Sequence, residues 1–309
     1  MRLLRLLLLL ITLALLPAST LAGTVAILLG GSGSGYAEVS DAIQAELRKQ
    51  PNTRVLIGNA GAQPLDELSL GNSQLLIAVG AKAAQQALRQ ADNRTQILCV
   101  LLPRSTFDTL LGQQRLVDNK RISAIYLDQP LARQIELIRQ ALPRHTRISA
   151  VFGPGSAVEL ERTRTLLESR NLKLVSESLQ GDSELFSALQ RVMSGSDVFL
   201  ALPDAQVINP DTVQNLLLTS FRFRIPVVGY SASSVRAGAT LALFSSPQQI
   251  GQQAGEVARQ LLRSGILPAP QYPRYFSVQT NRHMANSLNL GIDDDASLKE
   301  RLQRQERDG

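Results

Sequence analysis

The chain has 309 residues, with 32 Lys and Arg against 26 Asp and Glu for a net charge of +6, and its single cysteine is Cys99. One thiol excludes an intramolecular disulfide framework, and the charges are scattered, so the basic stripe expected of a nucleic-acid binder is missing. The length suits two domains of modest size, and few aromatics with abundant Ala, Leu and Gln point to a helix-rich α/β protein rather than an all-β sandwich.

Met1-Arg-Leu-Leu-Arg5 supplies a basic start, Leu6–Leu16 an apolar run, and Pro17 a break before Thr20 and Ala22, the small residues of a cut ahead of Gly23. This pattern predicts a cleaved secretory signal over residues 1–22, and the run is too short for a bilayer span of roughly 20 residues. No cysteine lies at the cut, so the expectation is a soluble periplasmic protein that is neither lipid-anchored nor membrane-embedded. Without Arg2 and Arg5 the net charge falls to about +4.

From Gly23 on, short apolar runs alternate with segments of helical period. Strands are predicted at Thr24–Leu29, Arg54–Ile57, Leu75–Val79, Gln96–Leu102 and Ile122–Tyr126. Helices are predicted over Glu38–Lys49, with Val39, Ile43 and Leu47 on one face, and over Ala81–Gln90. Cys99 reads as a small buried hydrophobe inside its strand. The second half repeats the rhythm. A helix striped by Leu131, Ile135, Ile138 and Leu142 precedes a strand at Ile148–Phe152, and a helix bearing Leu160, Leu166 and Leu167 follows. Then come a strand near Lys173–Val175, a helix over Leu185–Val192, a strand at Val198–Leu202, a helix near Asp211–Phe221 and a strand at Ile225–Tyr230. Pro247–Leu262 reads as a helix and Tyr275–Val278 as a late strand. The charged segment after Asp293 reads as a solvated helix or disorder. Strand–helix alternation with apolar strands predicts parallel sheets covered on both faces, and two such series predict two Rossmann-like lobes.

Ligands of α/β folds bind at the carboxyl ends of strands, where helix N-termini present free N–H groups. The first such loop, Gly30-Gly-Ser-Gly-Ser-Gly35, is not a dinucleotide fingerprint, because Tyr36 takes the third glycine position. Nor is it a P-loop, since no Lys follows Gly35. It reads either as an anion- or hydroxyl-binding loop or as a flexible turn. Ser32, Gly33, Ser34 and Tyr36 are its candidate ligand contacts. Gly80, Ala81 and Lys82 open the next loop, and Arg104 follows the strand after it. In the second half the candidates are Gly153, Gly155, Ser156, Asp204 and Tyr230. Arg104 suits a carboxylate, Asp204 an ammonium, and Tyr36 or Tyr230 a stacked ring. Each, taken singly, reads more often as a structural loop residue.

Catalytic motifs are missing. Gly229-Tyr-Ser231-Ala-Ser233 fails the nucleophile-elbow pattern at its last position. His145 and His283 read as surface residues, no His or Cys fall at metal-ligand spacing, and Asp293-Asp-Asp295 lacks EF-hand spacing. No enzyme activity, cofactor or metal is expected.

Three segments carry a resemblance: Asp197-Val-Phe-Leu-Ala-Leu-Pro-Asp204, Ile225-Pro-Val-Val-Gly-Tyr-Ser231 and Val235-Arg-Ala-Gly238-Ala239. With Gly251–Leu262, Gly265, Pro268, Asn281 and Leu288-Asn-Leu-Gly291 they resemble the ABC-transporter substrate-binding protein family that includes tryptophan- and tyrosine-type binders. Leu131–Pro154 and Leu76-Ile-Ala-Val-Gly80 with Ala83-Ala84 extend the likeness over most of Gly23–Gly291. The resemblance implies a type-I periplasmic-binding fold with crossovers between lobes and a small-molecule ligand held at the hinge of a monomer, with an ABC permease as partner. It implies a first lobe of residues 23–124 plus 247–266, a second of 125–246 plus 267–292, and a tail of 293–309. The Gly/Ser-rich first loop and Ala81-Lys82 depart from the family at the ligand site, so aromatic amino-acid binding does not carry over. A rival reading is a periplasmic sensing or interaction protein that kept the fold and serves a membrane sensor or envelope complex.

Overall fold

The computed structural model describes residues 23–61, 63–67, 70, 73–90, 94–113, 121–179 and 184–308. The signal-peptide reading of residues 1–22 lies outside them. No described helix is long and apolar enough to cross a membrane.

The first lobe is built on β1 (Thr24–Leu29), β2 (Arg54–Asn59), β3 (Leu75–Val79), β4 (Gln96–Leu102) and β5 (Ile122–Tyr126), all parallel in the order β2-β1-β3-β4-β5. Side chains alternate across the sheet. Val25 and Ile27 join Val39 and Ile43 of α1 (Ser34–Leu47) on one face, while Ala26 and Leu28 meet Ala83 and Ala87 of α2 (Ala81–Gln90) on the other. Burial on both faces explains why β3 is apolar at every position. Cys99 of β4 is fully buried, and burial pushes its thiol up to about 12. Near its end β4 is bulged, with Leu101 at φ 57°, and it leads through Pro103 into α3 (Arg104–Gly112).

From β5 the chain crosses into the second lobe through α4 (Leu131–Ala141), β6 (Arg147–Phe152), α5 (Leu160–Glu168), β7 (Lys173–Ser178), α6 (Leu185–Ser194), β8 (Val198–Leu200), α7 (Val213–Arg222), β9 (Val227–Gly229), α8 (Ala232–Ala237) and β10 (Leu241–Phe244). It returns to the first lobe as α9 (Pro247–Ser264), passes beside β5 at Gln271, then crosses again to β11 (Ser277–Thr280), α10 (Arg282–Ser287) and α11 (Asp295–Asp308). The second sheet runs β11-β10-β9-β8-β6-β7, with only β11 antiparallel to its neighbour.

Two observations refine the expected organisation. β5 pairs with β4 as far as Tyr126, the Leu127 N–H continues to the Leu102 carbonyl, and Gln271 bonds to the backbone of Ala124 and Tyr126, so bonding to the first sheet extends past residues 124 and 266. The charged C-terminal segment is helical, with Leu298 and Leu302 buried in the second core beside Ile135 and Ile138. Those two leucines stand four apart on one helical face, a stripe that the surrounding charges obscure in the sequence.

The return helix α9 has strong end signals. Ser246 and Gln249 form a capping box, Pro247 opens the first turn, and Gly265 closes the last turn at φ 71°. Gly251 and Gly255 let it lie directly on α1. A Cβ at Gly251 would stand 2.5 Å from the Val39 carbonyl oxygen, and one at Gly255 2.4 Å from the Glu46 Cβ. Beside this contact Arg259 pairs with Glu46 at 2.9 Å, and Lys49 pairs with the same carboxylate. Gly251→Val should therefore lower the stability of the fold by about 1–3 kcal/mol through overpacking. Thermal unfolding checks this; an unchanged midpoint would mean that the two helices do not pack as described.

Candidate functional site

A cleft of about 670 Å³, counting the solvent space at its mouth, opens between the lobes where strands of both sheets end. Such a position suits a small-molecule site. The first lobe contributes Arg104, Ser105 and Asp108 from the start of α3, and Tyr272 from the last crossover. Asp128 and Gln129 come from the segment after β5. The second lobe contributes Leu131 and Gln134 of α4, the loop Gly155–Glu159 after β6, and Leu202-Pro203 after β8.

Charge in this cleft is lopsided. Arg104 is its one cationic side chain among the described residues, facing Asp108, Asp128 and Glu159. The Arg104 guanidinium donates to the Tyr272 hydroxyl at 3.1 Å and lies 3.4 Å from Asp108. Its pKa is raised by the bond to Tyr272, and the Asp108 and Glu159 carboxylates push the same way. Asp128 accepts from the Arg104 backbone N–H. Burial raises the Asp128 pKa, and nearby Glu159 adds to the effect. Tyr126 and Tyr272 stack edge to face at 5.2 Å, with Phe107 behind Tyr126 at 5.9 Å. Tyr230, half-buried after β9, has its pKa raised by burial and by the charges of Asp128 and Asp204, which places it close to this acidic ground.

Of the residues anticipated from sequence, Arg104, Gly155 and Ser156 line the cleft, Gly153 and Asp204 are bonded to Ser156 behind it, and Tyr230 is outside the lining. Asp204 is 5% exposed and accepts from the Ser156 hydroxyl at 2.8 Å and the Gln206 N–H at 3.0 Å. The Ser156 hydroxyl also accepts from the Gly153 N–H at 3.1 Å, so it serves this link rather than capping the turn that follows. A Cβ at Gly153 would meet the Asp204 carboxylate at 2.6 Å. Asp204 thus ties the loops after β6 and β8 together instead of presenting a free carboxylate to an ammonium.

The first-lobe loops fall elsewhere. Ser32, Gly33, Ser34, Ala81 and Lys82 are exposed and outside the cleft lining. Tyr36 is folded back over the glycines: a Cβ at either Gly31 or Gly80 would stand 2.8 Å from its ring. Within the glycine-rich loop Gly31 therefore makes room for Tyr36, while Gly30 lies against the Val79 carbonyl and Ala83. Gly80 has the further requirement of φ 86°.

Sequence reasoning missed Asp128, Gln129, Gln134, Glu159 and Tyr272. Asp128 and Gln129 directly follow a strand that was recognised, and the rule applied to the other strand ends would have found them. Gln134 is hidden on a helix whose apolar stripe drew attention, and Tyr272 lies in a crossover with no local signal. His283 is exposed, whereas His145 is half-buried, with its pKa lowered by burial; neither lines the cleft. Among the described residues no group of three or more His, Cys, Asp or Glu is placed to hold a metal ion.

The model of a family described as ABC transporter substrate binding protein matches residues 58–295. An uncharacterized protein of Rickettsia prowazekii (strain Madrid E) is 22% identical over 231 residues, covering 72% of this chain and 70% of its own length. Among solved structures, a ligand-free, open substrate-binding protein with adhesive properties from Clostridium difficile has a TM-score of 0.68 at 15% identity, covering 88% of this chain and 97% of that one. An ABC domain from Streptococcus pneumonia in complex with L-Trp has a TM-score of 0.61 at 14% identity, with coverages of 90% and 97%. A conserved domain protein from Vibrio cholerae has 0.60 at 19%, with coverages of 91% and 98%. At these identities the likeness shows the fold: two α/β lobes of the periplasmic-binding-protein-like I type.

Because Asp204 is a buried acceptor for two donors, Asp204→Ala should cost about 1–3 kcal/mol of stability by leaving them unpaired. Chemical denaturation measures it. Full stability with a specific loss of ligand affinity would instead mark Asp204 as a ligand contact.

Proposed function

The chain belongs to the ABC transporter substrate binding protein family, and from that premise we propose that it is a solute receptor that closes its two lobes over a small molecule. Proteins of this family bind small molecules, typically hand them to ABC permeases, are generally not enzymes and typically work in the periplasm or outside the cytoplasm. On this reading the chain is exported, acts as a free periplasmic monomer, catalyses nothing and delivers its ligand to an ABC-type importer. Its lobes are residues 23–127 plus 247–272, and 128–246 plus 273–308.

The observation that carries the reading is the acidic cleft. Three carboxylates meet one guanidinium that is already engaged by Tyr272 and Asp108. An anionic ligand would add like charge to this ground. A protonated amine would offset the cost of holding Asp128 and Glu159 together in partly buried surroundings. Tyr272 lines the same cleft, where its ring can meet the cation. Val158, which lines the cleft yet is 81% exposed, and Leu202 offer apolar contact. The ligand is then a small amine, amino-acid-like, with its carboxylate if present directed to Arg104. The rival reading, a sensing or interaction protein, draws on the first-lobe loops, which are taken up by Tyr36 rather than by the cleft.

Mass spectrometry of small molecules retained by protein purified from its native compartment should yield an amine, and calorimetry with that compound then measures affinity. Asp128→Asn should weaken binding about 30-fold or more, the loss typical of a buried charged contact. Binding needs ionised Asp128, whose pKa is raised by burial. Affinity should therefore fall on acidification, starting above the pH of about 4 at which an ordinary aspartate titrates. Retention of nothing, or an unchanged affinity in Asp128→Asn, would favour the rival reading.

A further inference from the structure

The function proposed above leaves the C-terminal helix unused, yet Glu306 near its end pairs with a buried arginine beside the passages between the lobes. Arg133 of α4 is 8% exposed, and its Nε and Nη2 both donate to the carboxylate of Glu306 on α11, the second at 3.0 Å. The remaining nitrogen, Nη1, donates to Gln129 Oε1 at 2.7 Å and to the Pro273 carbonyl at 3.0 Å. The guanidinium also lies 4.3 Å from the centre of the Phe276 ring. Gln129 in turn donates from Nε2 to the Ser245 hydroxyl at 2.8 Å, and Ser245 donates to the Tyr275 carbonyl. These contacts touch all three passages of the backbone between the lobes, at residues 127–130, 245–246 and 272–276. Gln129 is also a wall of the cleft.

A planar guanidinium with a bidentate carboxylate on one edge has little freedom to rotate. Glu306 therefore fixes the plane of Arg133. Arg133 then fixes which way the Gln129 amide faces, because an acceptor oxygen is demanded on one side and a donor to Ser245 on the other. Leu298 and Leu302 hold α11 in place for this reach. We propose that Glu306 and Arg133 are hinge-positioning residues: the C-terminal helix is a strap that sets the resting angle between the lobes and the orientation of Gln129 in the cleft. Its final link, to Gln129 as a ligand wall, rests on the reading of the cleft as a binding site; the link to the hinge does not.

The hinge is tested without any ligand. Spin labels on Gln85→Cys in the first lobe and Asn215→Cys in the second report the inter-lobe distance by pulsed electron resonance, Cys99 being buried and so unlabelled. Glu306→Ala should broaden that distribution and speed amide exchange in the three passages about tenfold, the effect of losing one charged hydrogen-bonded contact. Glu306→Gln, which keeps an acceptor in place, should fall between Glu306→Ala and the parent. Glu300→Ala removes an exposed pair with Arg304 on the same helix and should leave both readouts at parent values. A strap that only stabilises α11 would lower the unfolding temperature in Glu306→Ala and leave the distance distribution and the exchange like those of Glu300→Ala; that result would overturn the proposal. Because no ligand is used, a failed cleft reading would not alter either outcome.

Discussion

The hydrogen bonds from Arg133 to Gln129, from Gln129 to Ser245 and from Ser245 to the Tyr275 carbonyl join the three points at which the backbone passes between the sheets. Among the described residues those passages are the covalent links between the two lobes, whose buried residues cluster separately, so whatever constrains them constrains the shape of the cleft. Further bonds from α9 hold the last passage: Gln253 accepts from the Arg274 N–H, and Glu256 accepts from the Tyr275 hydroxyl. The side chains that order the hinge also form its floor, since Gln129 and Gln134 line the cleft. Under the proposed function, closing on a ligand and bending at the hinge would be one event, with the ligand favouring the state in which it touches both lobes.

Local charge runs against global charge. The chain is basic overall, at +6, while its cleft gathers three carboxylates around one engaged arginine. Net charge governs solubility and long-range encounter, but a partly buried site answers to the groups that face it. Under the proposed function Asp128 would therefore bear more on ligand choice than the many surface arginines. The same logic separates Asp128 from Asp204. Both follow strand ends, yet Asp204 spends its oxygens on Ser156 and Gln206, while Asp128 accepts a backbone N–H and still fronts the cleft.

Much of the architecture was legible because fully covered parallel strands leave unbroken apolar runs. β1, β3, β4 and β5 have the bounds expected from those runs, and α2 does as well. Shorter elements were harder. β10, four residues long, went unread, as did α3, whose first turn follows a bulge that only the fold reveals. α1 begins at Ser34, earlier than its apolar stripe indicated, because the stripe marks only the buried face and the glycine-rich start offers no capping side chain. The site was less legible than the fold. The glycine-rich loop drew attention as a ligand cradle, but its Gly31, with Gly80 after β3, makes room for Tyr36, a contact between β1, β3 and α1 that chain order cannot show. Tyr272, Glu159 and Gln134 come together only when the crossovers are placed. Glu306 lies 173 residues from its partner Arg133, beyond the reach of any local pattern.

The account's central claim is that the cleft closes about this hinge over a small amine. Small-angle scattering on the protein first stripped of, then reloaded with, the amine that it retains through purification tests it most directly. The account predicts a smaller radius of gyration on reloading, together with loss of scattering features of an open cleft. Saturable binding of that compound with an unchanged radius of gyration would contradict it, because the ligand would then be held without joining the two lobes.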